Sequence, residues 1–310
     1  MVVFGGFLVS DTSAFSHIFA VEIMKTYYIM KIRVSMKKMI LMVALMSAFT
    51  QLSAKNYIRL IRNATLKMEY AGKQILVDPL LGAKGSSGSA LGVNPNPRVN
   101  LTMPVEEVLD GLDFTLLTHN HPDHYDETAV KRIRKDMPWF VQTEDVEQVK
   151  EKDGFSRAVG VADSIEYEGI TIIRIRGNHG RGQLGAQMGP SSGYILKAKN
   201  QPTIYIMGDC IWDEKTQIAV STYKPDYIVI NTGGNIFLPQ AKTDGDITMN
   251  EMEAMQMLKD CDPQIRFIAV HMDAIDHGQT TRAILRNQAE YEKVDKKRLM
   301  IPEDGQVLKL

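Results

Sequence analysis

The sequence predicts an α/β fold, a single layered domain in which short strands come first and helices are interleaved later, in two similar halves. Three observations carry this reading. A hydrophobic fraction of 44% with 24% charged residues is the composition of a globular chain rather than a disordered one. Residues 55–310 contain no low-complexity tract and no linker, so these 256 residues form one domain with a sizeable core. Along them, β-rich runs of a few residues alternate with stretches of helical periodicity. No repeat is visible in the residues themselves, so any duplication of the halves is structural only.

The N-terminus is set apart from that domain. From Met36 the chain reads MKKMILMVALMSAFTQLSA, with Lys37 and Lys38 ahead of an apolar run over 39–49 and a polar, small-residue exit ending at Ala54. This is the layout of a bacterial secretory signal peptide over 36–54, and the apolar run is shorter than the roughly 20 residues of a membrane span. Residues 1–35 would then be a disordered extension from a start codon set too far upstream. Removing 1–54 takes away five basic and two acidic residues and moves the net charge from −1 to −4. The expected compartment is periplasmic or extracellular.

The elements follow in order. Residues 57–61, 65–70 and 74–77 read as strands, with Ala71-Gly72-Lys73 as a hairpin turn. Residues 82–100 are rich in Gly, Ser, Asn and Pro and read as a long surface loop, one use of which is a substrate lid. Pro104 with Glu106 and Glu107 opens a short helix, its acids near the positive end. Residues 114–118 form an apolar strand, and Asp126 caps a helix whose Ala129, Val130 and Ile133 share a face. Then come a strand at 139–142 and a helix at 144–152 stopped by Gly154. The second half predicts strands at 170–176, 193–196, 203–207, 227–230 and 267–270, and helices at 214–221, 250–258 and 280–291. Thr248 and Glu251 fit a capping box for the second of these helices.

Charge and cysteine usage exclude several functions. A near-neutral chain lacks the basic excess of a nucleic-acid binder. Two cysteines exclude a disulfide scaffold and a cysteine-built zinc site, although an exported compartment permits a Cys210–Cys261 bridge. Histidines are few, seven in all, and their positions matter. Residues 119–124 read His-Asn-His-Pro-Asp-His directly after an apolar strand, a rigid place from which to hold ligands. His119 and His121 alternate and converge only on a loop, whereas Asp123 and His124 can face a different point, so the run suits two adjacent metals better than one. His179 follows the strand TIIRIRG, Asp209 follows TIYIM, and His271 ends FIAV with His277 six residues on. Only His17 falls outside residues 55–310.

The run at 119–124, a later histidine, a Gly-Asp after a strand and a final strand-end histidine resemble the ordered motifs of the metallo-β-lactamase superfamily. Within it the chain resembles the branch of the ascorbate-6-phosphate lactonase and N-acyl-phosphatidylethanolamine phospholipase D, through LKMEYAGKQILVDPLL with its Asp78-Pro79. The resemblance implies an αββα sandwich. It implies that His119, His121 and His179 hold one divalent metal, that Asp123, His124 and His271 hold a second, and that Asp209 bridges them. The His/Asp donor set suits zinc, with manganese or iron as alternatives. Asp78 matches an aspartate that either orients a ligand histidine or ends a hairpin. His277 competes with His271 as ligand, and otherwise contacts substrate or donates a proton. Cys210 reads as a small buried side chain.

Two such ions share a water and lower its pKa, and the hydroxide so formed attacks a polarised carbonyl or phosphoryl group. Asp123 would orient that nucleophile, and His277 or Tyr125 would protonate the leaving group. The Gly-rich stretches at 180–193 and 232–234 would line the pocket. The expected function is an exported metal-dependent hydrolase of a small ester, lactone or phosphoester. A phosphodiesterase or phospholipase, a β-lactam hydrolase and a non-catalytic metal-binding protein are the alternatives. The expected partner is a small molecule, with no nucleic acid and no membrane span after residue 54; the oligomeric state is left open.

Overall fold

The computed structural model describes residues 22, 24–34, 36, 38, 56–237 and 245–310. The chain divides into two compact units, Met1–Ala54 and Lys55–Leu310. In the first unit the described residues are helical and exposed, where the sequence predicts a disordered extension. No Gly or Pro interrupts 22–38, and Met and Lys recur there, which is enough local preference for a helix. The expected apolar run at 39–49 and the exit at 51–54 lie outside the described residues. Among the described residues no helix is long and apolar enough to cross a membrane.

The second unit holds two seven-stranded sheets of related layout. In the first, β1 (Tyr57–Arg62), β2 (Thr65–Tyr70) and β3 (Lys73–Val77) form an antiparallel meander, and β4 (Phe114–Leu117), β5 (Trp139–Gln142) and β6 (Ala158–Val161) add in parallel. In the second, β7 (Ser164–Tyr167), β8 (Ile170–Asn178), β9 (Pro190–Ala198) and β10 (Ile204–Ile206) are antiparallel, and β11 (Tyr227–Asn231), β12 (Arg266–Val270) and β13 (Leu299–Met300) add in parallel. The last strand, β14 (Val307–Lys309), returns to the first sheet and pairs antiparallel with β1. Each half is thus an antiparallel ribbon extended by three parallel strands, the structural duplication that the residues do not spell out.

Side-chain alternation builds the layers. Leu66, Met68, Phe114, Leu116 and Phe140 of the first sheet meet Tyr194, Leu196, Ile204, Val229 and Ile268 of the second in one core. The intervening residues face outward. Leu76, Leu117, Trp139 and Val141 pack with α1 (Val105–Leu109) and α2 (Glu127–Arg132). Ile195, Tyr205, Ile228 and Phe267 pack with α4 (Glu214–Tyr223), α5 (Glu251–Asp260) and α6 (Arg282–Tyr291), which follow the short α3 (Gly182–Met188). Both sheets are therefore covered on both faces, the αββα sandwich, and the parallel strands are apolar on both sides as such burial requires.

Local chemistry fixes the boundaries. Ala71 and Gly72 both take positive φ in the two-residue β2–β3 turn. Asp126 caps α2 by accepting from the Ala129 N–H, as predicted. The cap of α5 differs. Asn250, not Thr248, accepts from the Glu253 N–H, while Thr248 is turned inward and its hydroxyl donates to Asn235 Oδ1. Residues 143–152 form a 3-10 turn followed by a π-helical turn rather than one α-helix. Cys210 and Cys261 are both buried free thiols, so the bridge that the compartment permitted is absent.

Candidate metal centre

Every predicted ligand sits at the end of a strand on one rim of the sandwich. The 119–124 loop follows β4, and Asp78 follows its parallel neighbour β3. His179, Asp209 and His271 follow β8, β10 and β12, which run in the same direction. The C-terminal edge of such strands is where α/β sheets gather ligands, because the chain must turn there anyway. Two of the turns use the left-handed region at non-glycine residues, Asp78 at φ 44° and His271 at φ 68°. His271 is held there by donating its N–H to the Asn63 carbonyl.

The side chains converge as two groups. Donor atoms of His119, His121 and His179 lie within 4.8 Å of one another, as do those of Asp123, His124, Asp209 and His271. Asp209 stands between the groups, its Oδ2 3.2 Å from His124 Nε2 and 3.5 Å from His179 Nε2, its Oδ1 3.6 Å from His271 Nε2. Its other constraint is Asn231, whose Nδ2 donates to Oδ1 at 2.6 Å.

The hydrogen bonds outside the cluster show what the cluster is built to hold. His124 Nδ1 lies 2.8 Å from Asp78 Oδ2, a carboxylate that also accepts from Thr118 N and Oγ1. The Thr118 hydroxyl proton is used there, so its oxygen accepts from His119 Nδ1 at 3.1 Å. His179 Nδ1 donates to the Ile247 carbonyl at 2.8 Å. Each outer nitrogen carries the proton, which leaves the Nε2 lone pair of all three rings aimed inward. There they meet other acceptors. His119 Nε2 faces His121 Nδ1 at 3.0 Å, His124 Nε2 faces His271 Nε2 at 3.1 Å, and His271 Nε2 faces Asp123 Oδ2 at 3.1 Å. Lone pairs and carboxylates this close repel unless a positive charge lies among them.

Protons alone balance the site poorly. Burial, with help from His124 and His121, holds His119 well below its ordinary pKa, and burial brings His179 down to about 4. Burial also opposes charging His124, yet Asp209, Asp123 and Asp78 around it raise it well above the usual histidine value. Burial would push Asp209 up, but His271 and His124 hold it well below the ordinary carboxylate range. With a cation in place of the His124 proton, these buried imidazoles and ionised carboxylates with their outer-nitrogen partners are the donor chemistry of divalent transition metals.

The remaining predicted residues separate. His277 lines the cavity above the cluster, stacked on Phe237 with centroids 5.1 Å apart, and its Nδ1 has no hydrogen-bond partner. Tyr125 does not reach the site. It points into the outer layer against Trp139 and Phe155, and its hydroxyl donates to Asp153 at 2.8 Å. Burial and Asp153 hold its proton far more tightly than an ordinary phenol's, so it is no proton donor here. Adjacency to His124 suggested that role, but successive residues at the turn face opposite sides of the sheet. Tyr125→Phe is expected to leave kcat/KM within about twofold while lowering stability by about 1 kcal/mol, the usual worth of one buried hydrogen bond. Steady-state kinetics and chemical denaturation check both halves of that expectation.

Asn63 and Asp145 carried no sequence signal. Asn63 donates from Nδ2 to the Asp123 carbonyl at 3.1 Å and so ties together the loops of Asp123 and His271. Asp145, raised to about 6 chiefly by burial, accepts from Gln142 and from the Asn120 backbone inside the ligand loop. Gly233 is required at close quarters, since a Cβ there would lie 2.5 Å from the His271 carbonyl. Of the predicted lining by 180–193 and 232–234, only Met188 is among the cavity residues; 182–188 coils into α3, and none of 232–234 reaches the cavity.

Comparison with known proteins decides the family. The model of the beta-lactamase superfamily domain matches residues 73–272, which spans both ligand groups. The chain belongs to the beta-lactamase superfamily. Within this superfamily it is 33% identical to the UPF0173 protein YddR of Bacillus subtilis (strain 168) over 79% of this chain and 96% of the relative. Further UPF0173 relatives carry the name metal-dependent hydrolase. The structure of a possible metal-dependent hydrolase from Veillonella parvula DSM 2008 matches with TM-score 0.78 at 29% identity, covering 83% of this chain and all of that one. The isothiocyanate hydrolase from Delia radicum gut bacteria matches with TM-score 0.75 at 33% identity, covering 82% and 98%. As a superfamily member with UPF0173 relatives, the protein is a metal-dependent hydrolase.

Proposed function

We propose that this hydrolase holds two divalent ions, one on His119, His121 and His179 and one on Asp123, His124 and His271, with Asp209 shared, and acts on small, neutral, largely apolar electrophiles, isothiocyanates foremost. The observation that carries the substrate class is the cavity over the cluster. It measures about 430 Å³, and its walls are Leu80, Ala90, Met188, Phe237, Ile247 and Ile275 with a few serines and Asn96. Among the described residues no lysine or arginine lines it, so it favours a neutral group over a phosphoester. The volume suits a small molecule. The isothiocyanate hydrolase at 33% identity supports the same class.

Divalent ions in these positions supply Lewis acidity and a water ionised near neutral pH. Asp123, half-buried and lining the cavity, would orient the attacking water and accept its proton. In hydrolysis of R–N=C=S the water oxygen bonds to the central carbon and the C=N electron pair moves to nitrogen. His277, which lines the same cavity, would deliver one proton to that nitrogen, giving R–NH–C(=S)–OH; transfer of the remaining hydroxyl proton to nitrogen, with the C–N electron pair leaving on nitrogen, then releases the amine R–NH2 and carbonyl sulfide. Esters and lactones fit the same arrangement, the oxygen leaving group taking the proton in place of nitrogen.

The leader-like segment at 36–54 supports export, and N-terminal sequencing of protein recovered from the cell envelope checks it. The substrate test is a panel of benzyl isothiocyanate, p-nitrophenyl acetate, a γ-lactone, bis(p-nitrophenyl) phosphate and nitrocefin with zinc- and manganese-loaded protein. Benzyl isothiocyanate is expected to exceed the phosphodiester in kcat/KM by about a hundredfold or more, as a pocket built for neutral groups discriminates against charge. A preference for the phosphodiester or for nitrocefin would overturn the substrate class.

A further inference from the structure

The loop over 83–95 forms part of the cavity wall, and its own backbone bonds tie it only to its base: Gly85 N–H donates to the Pro97 carbonyl, and Ser87 and Asn96 exchange backbone hydrogen bonds. Its residues are exposed or half-exposed, and none of them belongs to a hydrophobic core. Its base is fixed. The buried Arg62 guanidinium donates to the carbonyls of Leu80, Gly82 and Val99, on both sides of the loop. Arg98 N–H donates to the Ala274 carbonyl. Beyond that base, one side chain gathers the loop. The Asp276 carboxylate accepts from the Ser89 hydroxyl, from the backbone N–H groups of Ala90 at 3.2 Å and Leu91 at 3.1 Å, and from Asn96 Nδ2 at 3.0 Å. Its own N–H donates to Asn96 Oδ1 at 2.9 Å. Ser89 Oγ in turn accepts from Val93 N at 2.7 Å.

The geometry has a functional consequence. Ser87, Gly88, Ser89, Ala90 and Asn96 line one side of the cavity, and Ile275 and His277, the immediate neighbours of Asp276, line another. We propose that Asp276 is a positioning residue that fastens the 83–95 loop to the segment carrying His277 and thereby fixes the width of the substrate cavity. It touches none of the ligand cluster, and its Oδ1 lies 3.5 Å from Nδ1 of His277 on the segment that it anchors. Four charge-assisted bonds to one carboxylate order a loop that packs against none of the hydrophobic cores, so the loop is a wall held by a latch rather than a free lid. The consequence for kinetics rests on the substrate reading above, whereas the consequence for loop order does not.

The test is amide hydrogen exchange on the full, zinc-loaded chain, compared for the parent, Asp276→Asn and Asp276→Ala, with KM and kcat for benzyl isothiocyanate measured alongside. In Asp276→Ala, exchange over 83–95 is expected to accelerate by about tenfold or more while β4 and the 119–124 loop keep the parent rates. Asp276→Asn retains one carbonyl acceptor and falls between. KM is expected to rise by a larger factor than kcat falls, because the loop binds rather than reacts. Exchange over 83–95 equal to the parent's in both variants would overturn the proposal, and so would a fall in kcat with KM unchanged. Ser89→Ala, which removes one latch partner on the surface, provides the same readout if Asp276→Ala does not fold, with faster exchange expected over 86–93. Since exchange needs no substrate, absence of isothiocyanate turnover in the parent would defeat the substrate reading and leave the latch still decided by exchange.

Discussion

Replacing Asp209 with alanine is expected to lower kcat/KM by about 10³-fold or more, the scale seen when one member of a jointly acting catalytic set is removed. The expectation follows from position. Its carboxylate is the one group with an oxygen near His124, His179 and His271 together, so it serves both donor groups at once. It is buried, held ionised by His271 and His124, and fixed by Asn231. In the proposed two-ion centre, removing it takes away the shared anion, and the positive charge gathered between the histidines loses its counter-charge. Asp209→Asn keeps the shape and a carbonyl acceptor but not the charge, so it is expected to fail nearly as badly. Kinetics with metal content measured on the same samples separates loss of metal from loss of chemistry. A variant that retains both ions and near-parental activity would show that the shared position of Asp209 is incidental.

Asp78→Ala carries the second large effect, and it acts from outside the cluster. The Asp78 carboxylate accepts from Thr118 N, Thr118 Oγ1 and His124 Nδ1, all three buried. Truncation leaves those donors unpaired at a cost of about 3 kcal/mol or more in stability, at 1–3 kcal/mol for each unsatisfied buried group. It also frees His124 to turn or to take the other tautomer. Loss of such a partner weakens metal binding by about 10- to 100-fold. Asp78→Asn is isosteric yet presents an NH2 to donors, so it is expected to lose metal affinity while recovering part of the stability. Thermal denaturation with and without metal, and titration with zinc, measure the two effects separately. Parental zinc affinity in Asp78→Ala would contradict the orienting role.

That these histidines and aspartates gather at one place was readable because chemistry and position coincide there. Histidines and aspartates that directly follow apolar strands have few structural uses, and parallel strands bring such ends to one rim. The residues that hold the ligands were not readable. Thr118, Asn231, Asn63 and Asp145 act through single hydrogen bonds fixed by tertiary contact, and no spacing marks them. Tyr125 shows the converse, since nearness in sequence to His124 says nothing about which side of the turn a ring takes. In the fold, the strands marked by apolar runs or apolar alternation were legible to within two or three residues. The edge strands β6, β7, β13 and β14 were not, because runs of two to four partly exposed residues are too short to stand out from the loops around them. Helix α3 was hidden by its glycines, which are needed for packing. A Cβ on Gly185 would lie 2.5 Å from the Gly180 backbone.

The proposed two-ion centre is tested most directly by metal stoichiometry. Elemental analysis of the purified chain after zinc titration and desalting, repeated for His121→Ala and for His271→Ala, reads each donor group by itself. The account predicts about two ions per chain in the parent, with the first variant losing the ion on His119 and His179 and the second losing the ion on Asp123 and His124. One ion or none in the parent, or two retained in either variant, would contradict it.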